Sequence, residues 1–197
     1  MDKKELQNPA LYTNRELSWL LFNKRVLSEA RDKQLLLFER LKFLSITASN
    51  LDEFFMVRIG SLVDMIHAEY TKKDIAGMSA KEQLDALMEE THKFAALQYS
   101  TYNRMLLPQL RANGLNFVEH HEQLTERQAQ YVDEYFEENV YPVLTPMAVD
   151  SSRPFPLIRN KTLNIGALVR KKEGKEKEKE VEFATVQVPS VLPRIVE

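Results

Sequence analysis

The sequence predicts an α+β chain of more than one domain: an N-terminal antiparallel helical bundle, then the start of an α+β domain that contains a β-hairpin. Three observations predict it. The first 113 residues hold only two glycines, Gly60 and Gly77, and two prolines, Pro9 and Pro108, so few helix breakers interrupt them. Four prolines crowd into "YPVLTPMAVDSSRPFPLIRN", residues 141–160, which excludes a regular helix or a central strand there. Two β-rich segments, "TLNIGALVR" and "VEFATVQVP", then flank the charged run "KKEGKEKEKE". The reading divides the chain into 1–114 and 115–197.

Each element has its own signal. Thr13-Asn14-Arg15-Glu16 reads as a capping box with the Thr13 hydroxyl at the cap. It opens a helix with an apolar stripe of Leu17, Leu20, Leu21, Val26 and Leu27, and with Trp19 and Phe22 nearby. A second helix is expected over about 34–48, through Leu37, Phe38, Leu41 and Leu44. A third is expected to begin at Asn50, because Leu51, Phe54, Phe55, Ile59, Leu62 and Ile66 fall at helical spacing. Ser79-Ala80-Lys81-Glu82 is a further capping box. It opens a long helix through Leu84, Leu87, Phe94, Tyr102 and Leu106, in which Pro108 is expected to kink the last turn and Asn113-Gly114 to end it.

"LNFVEH", residues 115–120, reads as a short strand, and Thr125-Glu126-Arg127-Gln128 opens one more helix to about Val140. The hairpin follows, with the Lys/Glu run as its solvated tip. Two strands alone make a marginal sheet. The sheet is therefore expected to continue in residues not given, and the chain to be part of a longer protein. No internal repeat is visible.

Composition narrows the function classes. A net charge of −2 with 28% charged residues gives no electrostatic reason to expect nucleic acid or an acidic membrane. The absence of cysteine excludes disulfides, thiolate metal sites and a cysteine nucleophile. No apolar run approaches the roughly 20 residues of a transmembrane helix, and the N-terminus carries no secretory apolar core. A cytoplasmic protein is expected, with peripheral contact at the inner membrane left open. His67, His92, His120 and His121 show no metal-ligand spacing, and no glycine-rich phosphate loop occurs. The adjacent carboxylates Asp52-Glu53 and Asp133-Glu134 point about 100° apart on a helix and form no acid/base pair unaided. From these features alone the reading stops at a helical domain plus the start of an α+β domain. A non-catalytic interaction or regulatory module fits them as well.

Longer stretches add a resemblance. "YTNRELSWLLFNKRVLSEA" and "LFERLKFLSITASNLDEFFMVRIGSL" closely resemble the N-terminal domain of bacterial polyphosphate kinases. "YPVLTPMAVDSSRPFPLIRNKTLNIGALV" and "FATVQVPSVLPRIV" resemble the opening of that family's middle, or head, domain. The matches run in order from about Tyr12 to the end of the chain. They are weakest over 68–112 and the charged tip, and the family often carries a histidine where this chain has Arg153.

The resemblance implies a four-domain homodimeric enzyme. ATP with Mg²⁺ donates its terminal phosphate to a histidine, which passes it reversibly to inorganic polyphosphate, leaving ADP. It places the catalytic histidine, the phosphate- and metal-holding arginines and the tyrosine near the base in the C-terminal half, outside this chain. Mg²⁺ is accordingly expected to be bound mainly by residues outside it. The N-terminal domain would contribute the adenine side of the pocket, and the head domain a dimer contact. No nucleic-acid partner is implied.

By the same resemblance, Asn50 of "NLDEF" is the N-terminal nucleotide contact. An amide offers donors and an acceptor that match the edge of adenine. The residues support a second reading, in which Asn50 caps a helix with Glu53 at N3. The two are compatible, because a cap from Ser49 would free the Asn50 side chain. Asp52 and Arg58 are weaker pocket candidates. Residues 50, 54 and 58 share a helix face, and Arg58 also reads as half of an ion pair. Phe54 and Phe55 read as core, with one ring able to border the pocket.

Overall fold

The computed structural model describes residues 5–149, 155–170 and 181–197. Arg153 and the Lys/Glu run 171–180 lie outside the described residues. The chain divides into two units, one ending at Phe117 and one running from Val118 to Glu197.

The first unit begins with α1 (Arg15–Arg31). Its cap is Asn14, one residue beyond the expected Thr13. Asn14 Oδ1 accepts from the Glu16 and Leu17 amides at 3.0 and 2.9 Å. Asn14 Nδ2 donates to Asp74 and Gln83 at 2.7 and 2.8 Å. A threonine hydroxyl has a single hydrogen to donate, so it could not cap the helix and also serve both acceptors.

The second and third expected helices are one continuous helical run. α2 spans Leu37–Phe54, a π-helical turn spans Phe55–Ile59, and α3 spans Gly60–His67. The chain does not stop at 48–50, because Ala48-Ser49-Asn50-Leu51 holds no glycine or proline. Asn50 is therefore inside α2 and caps nothing. The argument from free N–H groups at a helix start does not apply to it.

α4 spans Ala80–Thr101 and starts at the Ser79–Glu82 capping box. A second π-helical turn, Tyr102–Leu106, leads into α5 (Leu107–Ala112). The wide turn stands where a kink was expected. Pro108 has no N–H, and its ring would clash with the Arg104 carbonyl in a regular α ladder. Gly114, at φ +84°, closes the run. Leu115 N–H donates to Leu110 O at 3.0 Å and Gly114 N–H to Arg111 O at 3.1 Å, a Schellman ending.

Hydrogen bonds between helices give the packing directions. Asn23 meets Thr47, and Ala30 meets Arg40, so α1 and α2 run antiparallel. Asn14 meets Gln83, and Arg31 meets Thr101, so α1 and α4 run parallel. Leu20, Phe54, Ile59, Leu62, Ala80 and Leu87 form one core cluster, and Leu27, Ala30 and Phe94 a second. Arg40 is buried between elements. Its Nε donates to Ala30 O at 3.0 Å and its Nη1 to Gln109 Oε1 at 3.0 Å.

Between the helices of the first unit and those of the second, "LNFVEH" is not a strand; residues 115–119 have no regular structure. A strand needs a paired neighbour, and the sheet is built from other segments. α6 (Glu126–Tyr135) starts at the Thr125–Gln128 capping box and passes into a third π-helical turn, Phe136–Val140. Strands β1 (Thr145–Val149), β2 (Leu163–Val169) and β3 (Glu182–Val188) form an antiparallel sheet in the order β1-β3-β2. The expected hairpin pairs β2 with β3, with Gly166 opposite Thr185.

The third strand of this sheet comes from the proline-rich stretch. β1 pairs with β3, with Pro146 opposite Val186. It is an edge strand, the position where a proline's missing donor is tolerated. Gly166 lies in a close approach: a Cβ there would lie 3.0 Å from the Phe183 ring, which stacks on Phe155 and would have to shift.

Candidate functional site

α1 and α2 bring together a pocket of about 250 Å³ in the first unit. Trp19 and Phe22 line it from α1, Asn50, Glu53 and Phe54 from α2, and Val57 and Arg58 from the π-helical turn. Two of the three site candidates, Asn50 and Arg58, thus share one wall. The third, Asp52, is exposed and does not line this pocket.

The apolar side is closely packed. Trp19 stacks on Phe54 with centroids 4.4 Å apart and planes 9° apart, and Phe54 is itself buried. Phe54 is therefore both a core side chain and part of the pocket border. Phe22 is about half exposed and presents a ring to the opening. The polar side is partly committed. Asn50 Nδ2 donates to Asn23 Oδ1 at 3.1 Å. Arg58 Nε lies 3.8 Å from Glu16 Oε2, while Arg15 holds Glu16 Oε1 at 2.6 Å. The ion-pair reading of Arg58 and its place in the pocket hold together.

The π-helical turn aims Val57 and Arg58. Of the three such turns among the described residues, two are followed two residues later by a proline, Pro108 and Pro142. The turn at Phe55–Ile59 has none, so proline does not explain it. Ser61 Oγ donates to the Val57 carbonyl at 2.7 Å, an oxygen that also accepts from the Gly60 N–H at the end of the turn. π-helical turns of this kind are frequent at functional sites.

Sequence reasoning did not single out Asn23, the hydrogen-bond partner of Asn50, and gave Trp19 and Phe22 only a packing role. A signal for Asn23 was present. Leu20, Asn23, Leu27 and Ala30 follow helical spacing, and all four are buried, so one amide stands on an apolar stripe. Among the described residues no group of three or more His, Cys, Asp or Glu could hold a metal ion. His121 Nε2 lies 3.3 Å from Asp133 Oδ1, with both side chains exposed. No helix among the described residues is long and apolar enough to cross a membrane.

The family model for the polyphosphate kinase N-terminal domain matches residues 12–118, and that for the polyphosphate kinase middle domain matches residues 127–197. The chain belongs to the polyphosphate kinase family. A polyphosphate kinase of Lactiplantibacillus plantarum is 53% identical over 185 residues, covering 94% of this chain and 25% of the relative. One from Bacillus anthracis is 44% identical over 192 residues, covering 97% of this chain and 27% of the relative. The crystal structure of polyphosphate kinase from Porphyromonas gingivalis matches with a TM-score of 0.75 at 31% identity, over 93% of this chain and 26% of that one. The resemblance and the fold class read from the sequence both hold. The chain spans about a quarter of the length of these polyphosphate kinases.

Proposed function

We propose that this chain is the part of a polyphosphate kinase that receives the adenine end of ATP, in the pocket between α1 and α2. The observation that carries the reading is the joint placement of Asn50 and Arg58 beside the Trp19 and Phe22 rings. An amide supplies hydrogen bonds to a purine edge, and the rings supply apolar contact to its faces. The volume of about 250 Å³ falls below the roughly 300–1,000 Å³ of complete small-molecule sites. It suits a cleft that takes one end of a nucleotide and leaves the phosphates to other residues.

The chemistry proposed for the complete enzyme is the one the family resemblance implies. The terminal phosphoryl group of ATP moves to a histidine nitrogen, ADP leaves, and the phosphoryl group then moves to the end of a polyphosphate chain; the sequence is reversible. That histidine is placed outside this chain. Mg²⁺ is expected to be held there as well, and no step is attributed to it. The second unit, as the start of the head domain, contributes to a homodimer. Residues 1–197 alone are not catalytic on this reading.

Base contacts far from the phosphates change binding more than the chemical step. Asn50→Ala in the complete enzyme is expected to raise the KM for ATP about 2- to 13-fold, the worth of one neutral hydrogen bond, with kcat little changed. Steady-state kinetics with ATP as the varied substrate checks this. An unchanged KM would reduce Asn50 to a partner of Asn23 within the bundle.

A further inference from the structure

We propose that Asn23 is a positioning residue for the nucleotide contact. Through its hydrogen bonds it fixes which end of the Asn50 amide is free for a ligand, and so favours adenine over 6-oxopurines. The inference rests on the Asn50 reading above and extends it to a residue that touches no ligand.

The polarity starts at an atom that can only accept. Asn23 Nδ2 donates to the Thr47 backbone carbonyl at 3.1 Å. A carbonyl oxygen has no hydrogen to give, so the amide nitrogen of Asn23 must face it. Asn23 Oδ1 is then left facing Asn50, and that oxygen can only accept. Asn50 must present Nδ2 to it, as the 3.1 Å contact shows. Each amide thereby dictates the orientation of the next.

The start of the relay is held firmly. Asn23 and Thr47 are both 0% exposed, so water does not compete there. The Thr47 hydroxyl donates to Leu44 O at 2.7 Å and accepts from Gln98 Nε2 at 3.0 Å, which ties α2 to α4 at this level. At the other end, Oδ1 of the half-buried Asn50 has no hydrogen-bond partner among the described residues, in a side chain that lines the pocket.

An acceptor offered to a purine separates the two classes. Adenine carries an amino donor at position 6, whereas guanine and hypoxanthine carry an oxygen acceptor there. Without Asn23 the Asn50 amide would be free to turn about its last torsion, which is broad and roughly two-fold. It would then offer a donor or an acceptor with similar ease, and the preference would fade.

The test uses the full-length enzyme and two probes, ATP and inosine triphosphate. The kcat/KM values for both are measured for wild type, Asn23→Leu, Asn23→Asp, Asn50→Ala and the double variant Asn23→Leu with Asn50→Ala. Asn23→Leu is expected to lower the ATP-to-inosine-triphosphate ratio about 2- to 13-fold, through KM rather than kcat. Asn23→Asp keeps an acceptor facing Asn50, so it is expected to retain the wild-type ratio even where its Tm falls. Adding Asn23→Leu to Asn50→Ala is expected to change the ratio no further.

Each ratio is taken on one preparation, so a reduced folded fraction cancels. If Asn23→Leu yields no active enzyme, the smaller Asn23→Ala replaces it: a lowered ratio supports the relay and an unchanged ratio overturns it. A ratio unchanged in Asn23→Leu but lowered in Asn50→Ala overturns the role of Asn23 and leaves the Asn50 reading standing. An Asn50→Ala enzyme with unchanged KM and unchanged ratio removes both.

Discussion

Asn14 and Glu69 are two single residues where local chemistry decides more than pattern. Asn14 caps α1 with its carbonyl and spends its amide hydrogens on Asp74 and Gln83. The sequence placed a cap within one residue of it, because Thr and Asn are both good caps. It could not choose between them, since the deciding acceptors are 60 and 69 residues away. Glu69 ends α3 with φ +53°, and Tyr70 N–H reaches Met65 O at 2.9 Å. That position normally takes glycine, because a Cβ is strained in the left-handed region. Glu69→Gly is therefore expected to stabilise the first unit by about 0.5–1 kcal/mol. Urea unfolding followed by the fluorescence of Trp19, the sole tryptophan, measures it directly. A loss of stability would mean that the Glu69 side chain contributes more than its backbone strain removes.

At the scale of elements, caps and breakers were legible and pairings were not. The Ser79 and Thr125 capping boxes and the Gly114 stop stand where the residues placed them. The break expected at Asn50 is absent, because a polar Ser-Asn step without glycine or proline does not end a helix whose next turns bury Phe54 and Ile59. The strand expected at 115–120 has no partner, and the real third strand hides in the proline-rich stretch as an edge. Edge strands tolerate proline, and no local pattern announces that tolerance.

The Ser79 cap gives a test at this scale. Ser79→Ala is expected to lower stability by about 1 kcal/mol in the same unfolding experiment. Glu82 supplies the pH signature. The Ser79 backbone N–H, then its hydroxyl, then the charge of Lys73 hold the Glu82 carboxyl below its usual pKa of 4.5. A depressed pKa in the folded state means the stabilisation is present above the unfolded pKa and is lost as pH falls through the folded one. The stability difference between wild type and Glu82→Ala is therefore expected at neutral pH and should shrink on acidification below about pH 4.5. A difference that grows in acid would reverse the assignment.

For the whole molecule, the family and fold class were readable because long ordered stretches carry them. The site was readable only in part. Asn50 and Arg58 were named from a resemblance and a helix face, and the structure brings them to one pocket. Asp52 stands outside it, and Asn23 came to light only once α1 and α2 were paired. The chain is about a quarter of its relatives' length and brings together a base-sized cleft without a described metal-binding cluster. The proposed function divides the labour, with the base held here and the phosphoryl chemistry elsewhere in the protein. The most direct test incubates the complete gene product, and separately residues 1–197, with Mg²⁺ and ATP labelled at the terminal phosphate, and follows label into acid-insoluble polymer and onto protein. Polymer and labelled protein from the complete product, with neither from residues 1–197, is the expected result. Polymer from residues 1–197 alone would contradict this division of labour, and none from a folded complete product would contradict the proposed kinase activity.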